Sequence, residues 1–111
     1  MKLPKTVIVD GVRYKVTTME SDTLDGQIHF KSKKVKPFIE INSKLNDKKQ
    51  GMTLLHEIIH AALDPICMSP KREEEIVLRL EQSLSDVIRK NPALIRSLVR
   101  VLTSTSDPAS G

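Results

Sequence analysis

Thr53-Leu54-Leu55-His56-Glu57-Ile58-Ile59-His60-Ala61-Ala62-Leu63-Asp64 is the stretch whose reading fixes the rest of the chain. It contains His-Glu-x-x-His. On an α-helix, side chains four residues apart stand one above the other on the same face. His56 and His60 can therefore aim both imidazoles at one metal ion. Glu57 follows roughly 100° round the helix, which puts it beside the ion, placed to accept a proton rather than to ligate. At the same angular step, Thr53, His56, Glu57, His60 and Asp64 share one narrow arc, while Leu54, Leu55, Ile58, Ile59, Ala61, Ala62 and Leu63 fill the remainder. A helix apolar nearly all round is a buried helix. A buried strip of imidazole and carboxylate must be satisfied, and a metal ion would satisfy it. Asp64, one turn beyond His60, is then expected to orient an imidazole rather than to ligate.

Working outward, Asn46 or Asp47 caps the start of this helix, and Asp47 to Gln50 has the spacing of a capping box. Pro65 ends it, because the residue before a proline is pushed out of the α region. Ile66-Cys67-Met68 follows as a short apolar link, with Cys67 expected to be a small buried residue. Ser69-Pro70 opens a second helix, with Ser as N-cap and Pro at the first helical position. Its apolar stripe is Ile76, Val77, Leu80, Leu84, Val87 and Ile88. Asn91-Pro92 repeats the stop-and-start signal, and Leu94, Ile95, Leu98, Val99 and Leu102 make a last helix amphipathic. The reading gives one domain over residues 1–103 and a flexible tail over 104–111.

Upstream of the helix, Val7-Ile8-Val9, Asp10-Gly11 and Val12 to Val16 form a hairpin pattern with a strong turn signal. Gln27 to Phe30 and Pro37 to Asn42 read as two further strands, joined by a lysine-rich loop. His29, on the first of these, is expected to face solvent. Thr17 to Gly26 is polar and reads as a loop. The expected fold class is α+β: a small antiparallel N-terminal sheet packed on the His-Glu-x-x-His helix, followed by two more helices.

The chain has 111 residues, enough for one core, and its one Tyr, two Phe and no Trp make that core aliphatic. No stretch has the apolar length of a membrane span, and no apolar segment follows the N-terminal Met1-Lys2-Leu3-Pro4-Lys5 as in a secretory signal. A single cysteine makes no internal disulfide. The expected location is cytoplasmic, with no membrane partner. A net charge of +4 raises nucleic acid as a partner, but the densest basic run, Lys31 to Lys36, reads as a solvated hairpin loop rather than a phosphate-binding patch.

Catalytic zinc takes three protein ligands. No third ligand follows His60 at metzincin spacing, since the position six residues on is Ile66. Glu73, Glu74, Glu75 and Glu81 remain. Helical phase turns Glu75 away from the apolar stripe, sets Glu73 near its centre and leaves Glu74 on its flank, so periodicity slightly favours Glu73. The same acidic residues would also complement the positive end of a helix dipole.

The ordered set Gly26-Gln27-Ile28, Ile39-Glu40-Ile41, Thr53 to Ala61, Glu74 to Leu80 and Val87 to Pro92 resembles the small phage and prophage proteins grouped with the ImmA/IrrE-type zinc metallopeptidases. The resemblance runs to about Leu102. It implies a compact gluzincin-like domain holding Zn2+, with a glutamate ligand three residues before the small apolar residue that Val77 matches. That residue is Glu74, with Glu73 as the alternative. It also implies a protein substrate such as a phage or prophage regulator. Lys90 departs from the Asp that relatives often carry before Asn-Pro. The resulting expectation is a peptidase in which His56, His60 and Glu74 hold zinc and Glu57 is the catalytic base. Two other functions remain compatible with the residues: a zinc-binding interaction protein without turnover, and a basic nucleic-acid-binding module. Oligomeric state is not legible in the sequence.

Overall fold

The computed structural model describes residues 2–104. The expected tail lies, beyond Ser104, outside the described residues. Four strands and three helices follow in order: β1 (Thr6–Val9), β2 (Val12–Met19), β3 (Gly26–His29), β4 (Phe38–Asn42), α1 (Asp47–Leu63), α2 (Pro70–Lys90) and α3 (Pro92–Leu102), with a 3-10 turn at Asp64–Ile66 between α1 and α2. The fold is α+β.

The first hairpin turns on Asp10 and Gly11, both at positive φ (50° and 78°). Two such residues suit the twist of a two-residue hairpin, and Asp and Gly tolerate that region best. Within β2, Tyr14 and Val16 are buried while Arg13 and Lys15 are exposed, as period-two alternation requires.

The sheet is mixed rather than antiparallel, in the order β1-β2-β4-β3. β4 runs parallel to β2 and antiparallel to β3. The cause lies in which strand is fit for the middle. Ile39 and Ile41 of β4 are both fully buried, a contribution of roughly 1.5–3 kcal/mol for each side chain. β3 carries Gln27 and His29 and takes the edge. A strand that follows its antiparallel hairpin partner and then inserts beside β2 necessarily runs parallel to β2. β2 is also longer than its alternation suggested, because Thr17, Thr18 and Met19 pair with Glu40, Ile41 and Asn42.

α1 starts at Asn46, whose Oδ1 accepts from the Lys49 amide at 2.8 Å. The capping-box arrangement from Asp47 is replaced by Gln50 donating to the Leu45 carbonyl at 2.9 Å. Ser69 Oγ caps α2 by accepting from the Arg72 amide at 3.3 Å. Leu54 and Ala61 of α1 join Tyr14, Val16, Ile39 and Ile41 in the core. Cys67, expected to be buried, is exposed and takes a left-handed φ of 56° at the end of the 3-10 turn.

Gly26 fixes how closely β3 approaches α1. A Cβ there would stand 2.6 Å from Thr53 Cγ2 and 2.9 Å from the Glu40 carbonyl oxygen. Thr53 lies one turn before His56, so this close contact sets the edge strand beside the imidazole face. No helix among the described residues is long and apolar enough to cross a membrane.

Candidate metal centre

α1 and α2 pack together so that the imidazoles of one meet the carboxylates of the other. His56 Nε2 lies 3.0 Å from Glu74 Oε1, and His60 Nε2 lies 3.3 Å from Glu74 Oε2. The two remaining ring nitrogens face different residues. His60 Nδ1 is 2.6 Å from Glu73 Oε2, and His56 Nδ1 is 3.2 Å from Glu81 Oε1. Glu74 and Glu81 are seven residues apart, two turns of one helix, and so present the same face to α1.

Glu57 is 5% exposed. Burial pushes its carboxyl above the ordinary glutamate value. His56 and His60 pull it down by less, and Glu74 and Glu81 add to the rise. His56, Glu57 and His60 each offer a ligand atom, all within 4.8 Å of one another, and this group could hold a metal ion.

The hydrogen-bonding chemistry of the cluster fits a cation. A neutral imidazole has one donor nitrogen and one acceptor nitrogen. Each ring here meets carboxylate oxygen on both nitrogens. With Nδ1–H donating to Glu73 or Glu81, each Nε2 lone pair would face a Glu74 oxygen, acceptor against acceptor, unless a proton or a metal cation stands between them. Four carboxylates around two imidazoles also leave an excess of negative charge in a partly desolvated place, which is costly unless compensated.

The predicted residues are thus distributed as follows. His56, Glu57, His60, Glu74 and Glu73 come together in one cluster. Asp64 does not join it: it is exposed at the head of the 3-10 turn. The Nδ1 atoms of the two imidazoles, one of which Asp64 was expected to orient, face Glu81 and Glu73 instead. The charge of Asp64 bears instead on Tyr14, whose hydroxyl is raised first by burial, then by Asp64 and Asp10. Glu75 faces solvent, as its phase predicts. His29 is exposed on the sheet, stacked on Phe38 with ring centroids 4.3 Å apart.

Two contributors were only partly read from the sequence. Glu81 was only one of several candidate ligands, although its seven-residue spacing from Glu74 was a usable signal. Asn42 was read as a strand end. It is buried, and its Nδ2 donates to the carbonyls of Ser21 (2.7 Å) and Leu24 (2.8 Å) while Oδ1 accepts from the Lys44 amide (3.0 Å). It thereby holds the loop whose residues Thr23, Leu24 and Asp25, with Gly26, line a cleft of about 330 Å³ along with Thr53, His56, Glu57, His60 and Glu74.

A larger cavity of about 590 Å³ lies away from this cluster, lined by Lys5, Arg13, Lys15, Lys36 and Phe38 among others. No protein-family model, curated protein or solved structure matches the chain, so the resemblance to ImmA/IrrE-type peptidases rests on its motif residues alone.

Proposed function

We propose that the protein is a zinc-dependent peptidase acting on a protein substrate. The observation that carries this reading is the convergence of His56 Nε2 and His60 Nε2 on the two oxygens of Glu74. Two imidazoles and a carboxylate are a donor set that zinc accepts in catalytic sites. His56, His60 and Glu74 would hold the ion. Bound there, zinc supplies Lewis acidity, polarising a carbonyl and making water more acidic.

The chain's own residues do the rest. Glu73 and Glu81 accept from the Nδ1–H groups, which fixes the tautomer and leaves each Nε2 with its lone pair toward Glu74. Glu57 is the general base. Burial raises its pKa, which suits a group that takes a proton from the attacking water and returns it to the leaving amine. β3 is an edge of the sheet, and Gly26 at its start lines the cleft. A substrate segment pairing with that edge would carry its peptide bond past His56 and Glu57. A phage or prophage regulator as substrate follows from the resemblance.

The test is cleavage of a quenched fluorescent peptide library by the zinc-loaded chain and by Glu57→Gln. Cleavage that disappears in a variant still holding zinc is expected. Equal cleavage by both would remove Glu57 from the mechanism, and none by either would leave a zinc-binding interaction protein.

One observation favours a second reading. Lys5, Arg13, Lys15 and Lys36 surround the outer cavity beside Phe38 and have no acidic partner among the described residues, a combination that suits single-stranded nucleic acid. Steeply salt-dependent binding of an oligonucleotide, unaffected by chelator and lost in Lys15→Glu, would select it.

A further inference from the structure

α2 has 21 residues and α1 has 17, so at about 1.5 Å per residue α2 is longer by roughly 6 Å. The first part of the α2 stripe is covered, with Val77 fully buried. The last part is not: Leu84, Val87 and Ile88 are 40–48% exposed. Among the described residues, α3 then departs, meeting no other element except α2. Its apolar face is more open still, with Leu94, Leu98, Val99, Val101 and Leu102 44–78% exposed.

At those exposures the eight side chains present on the order of 700 Å², above the ~300–600 Å² typical of the largest patch on a monomer. That is close to the ~800 Å² which each partner gives to a standard interface. The face is built from Leu, Val and Ile alone. Arg96 and Arg100 stand on the opposite side of α3 by helical phase. A centre free of charge and more apolar than the rest of the surface is what homodimer interfaces present.

We infer that this face is the interface of a homodimer, in which α3 of each copy packs on the end of α2 and on α3 of the other. A two-fold arrangement covers both surfaces at once and leaves the metal cluster of each copy outside the interface.

Multi-angle light scattering on the full chain tests this at about 100 µM, above the micromolar Kd expected of even a weak interface of this area. The expected mass is twice 12.5 kDa. The double variant Leu98→Glu, Leu102→Glu should be monomeric with unchanged helicity and zinc content, and Arg96→Ala should remain dimeric. A monomeric wild type, or a dimer that survives the double variant, would overturn the proposal. So would a monomer that binds phosphatidylglycerol vesicles through this face.

Discussion

Each imidazole of the cluster has two nitrogens and two carboxylate neighbours, and those neighbours have different tasks. Glu74 faces both Nε2 atoms, so Glu74→Ala should cost most of the zinc affinity. Glu73→Ala and Glu81→Ala act through the rings and should weaken binding by about 10–100-fold. Isothermal titration with zinc ranks the three, and a loss confined to Glu73 would transfer the ligand role to it. Glu57 makes a separate prediction. Burial raises its pKa above the ordinary value of 4.5, so the folded chain favours its protonated form. Its contribution to stability is complete below that ordinary value and is lost as pH rises through the folded value. In the metal-free protein, Glu57→Gln should therefore raise the melting temperature by a few degrees at pH 8, and the gain should vanish near pH 4. A melting temperature lowered at pH 8 would contradict it. His56, Glu57 and His60 were legible because four-residue spacing is a local property of a helix. Asp64 was misplaced because phase says where a side chain points, not which neighbour has already taken the ring nitrogen.

The elements position the cluster through two small details. Gly26 lets β3 touch α1 where any Cβ would meet the Glu40 backbone and Thr53. Gly26→Ala should destabilise by about 1–3 kcal/mol, as overpacking does, and the loss should be measurable by urea unfolding. Asn42 ties the cleft loop to β4. Asn42→Ala leaves the Ser21 and Leu24 carbonyls without their donor, a cost of about 1–3 kcal/mol, and should raise KM more than it lowers kcat because the loop lines the cleft rather than the reacting atoms. Element starts and stops were readable from Asp10-Gly11, Asn46, Pro65, Ser69-Pro70 and Asn91-Pro92, each of which acts on its own neighbours. Strand order was not. β4 sits in the middle because Ile39 and Ile41 compete better for burial than Gln27 and His29, and that competition is between segments distant in sequence. Thr17 to Met19 looked like loop because their strand conformation depends on β4 as a partner.

For the whole molecule, a sheet on one side and α2 on the other enclose the imidazole face of α1, and the carboxylates of α2 leave that enclosure short of positive charge. Filling it should couple metal binding to folding. At a free zinc concentration about 100-fold above Kd the gain is ~2.7 kcal/mol, on the order of 10 °C in melting temperature for a domain of this size. Chelator should reverse it, and His56→Ala, His60→Ala should melt at the same temperature with or without zinc. The most direct measurement is elemental analysis of the purified chain grown with zinc, alongside that double variant, Glu74→Ala and Asp64→Ala. The account predicts one zinc per chain in the wild type and in Asp64→Ala, none in the double variant, and a large loss in Glu74→Ala. Zinc retained by the double variant, or absent from the wild type, would contradict it.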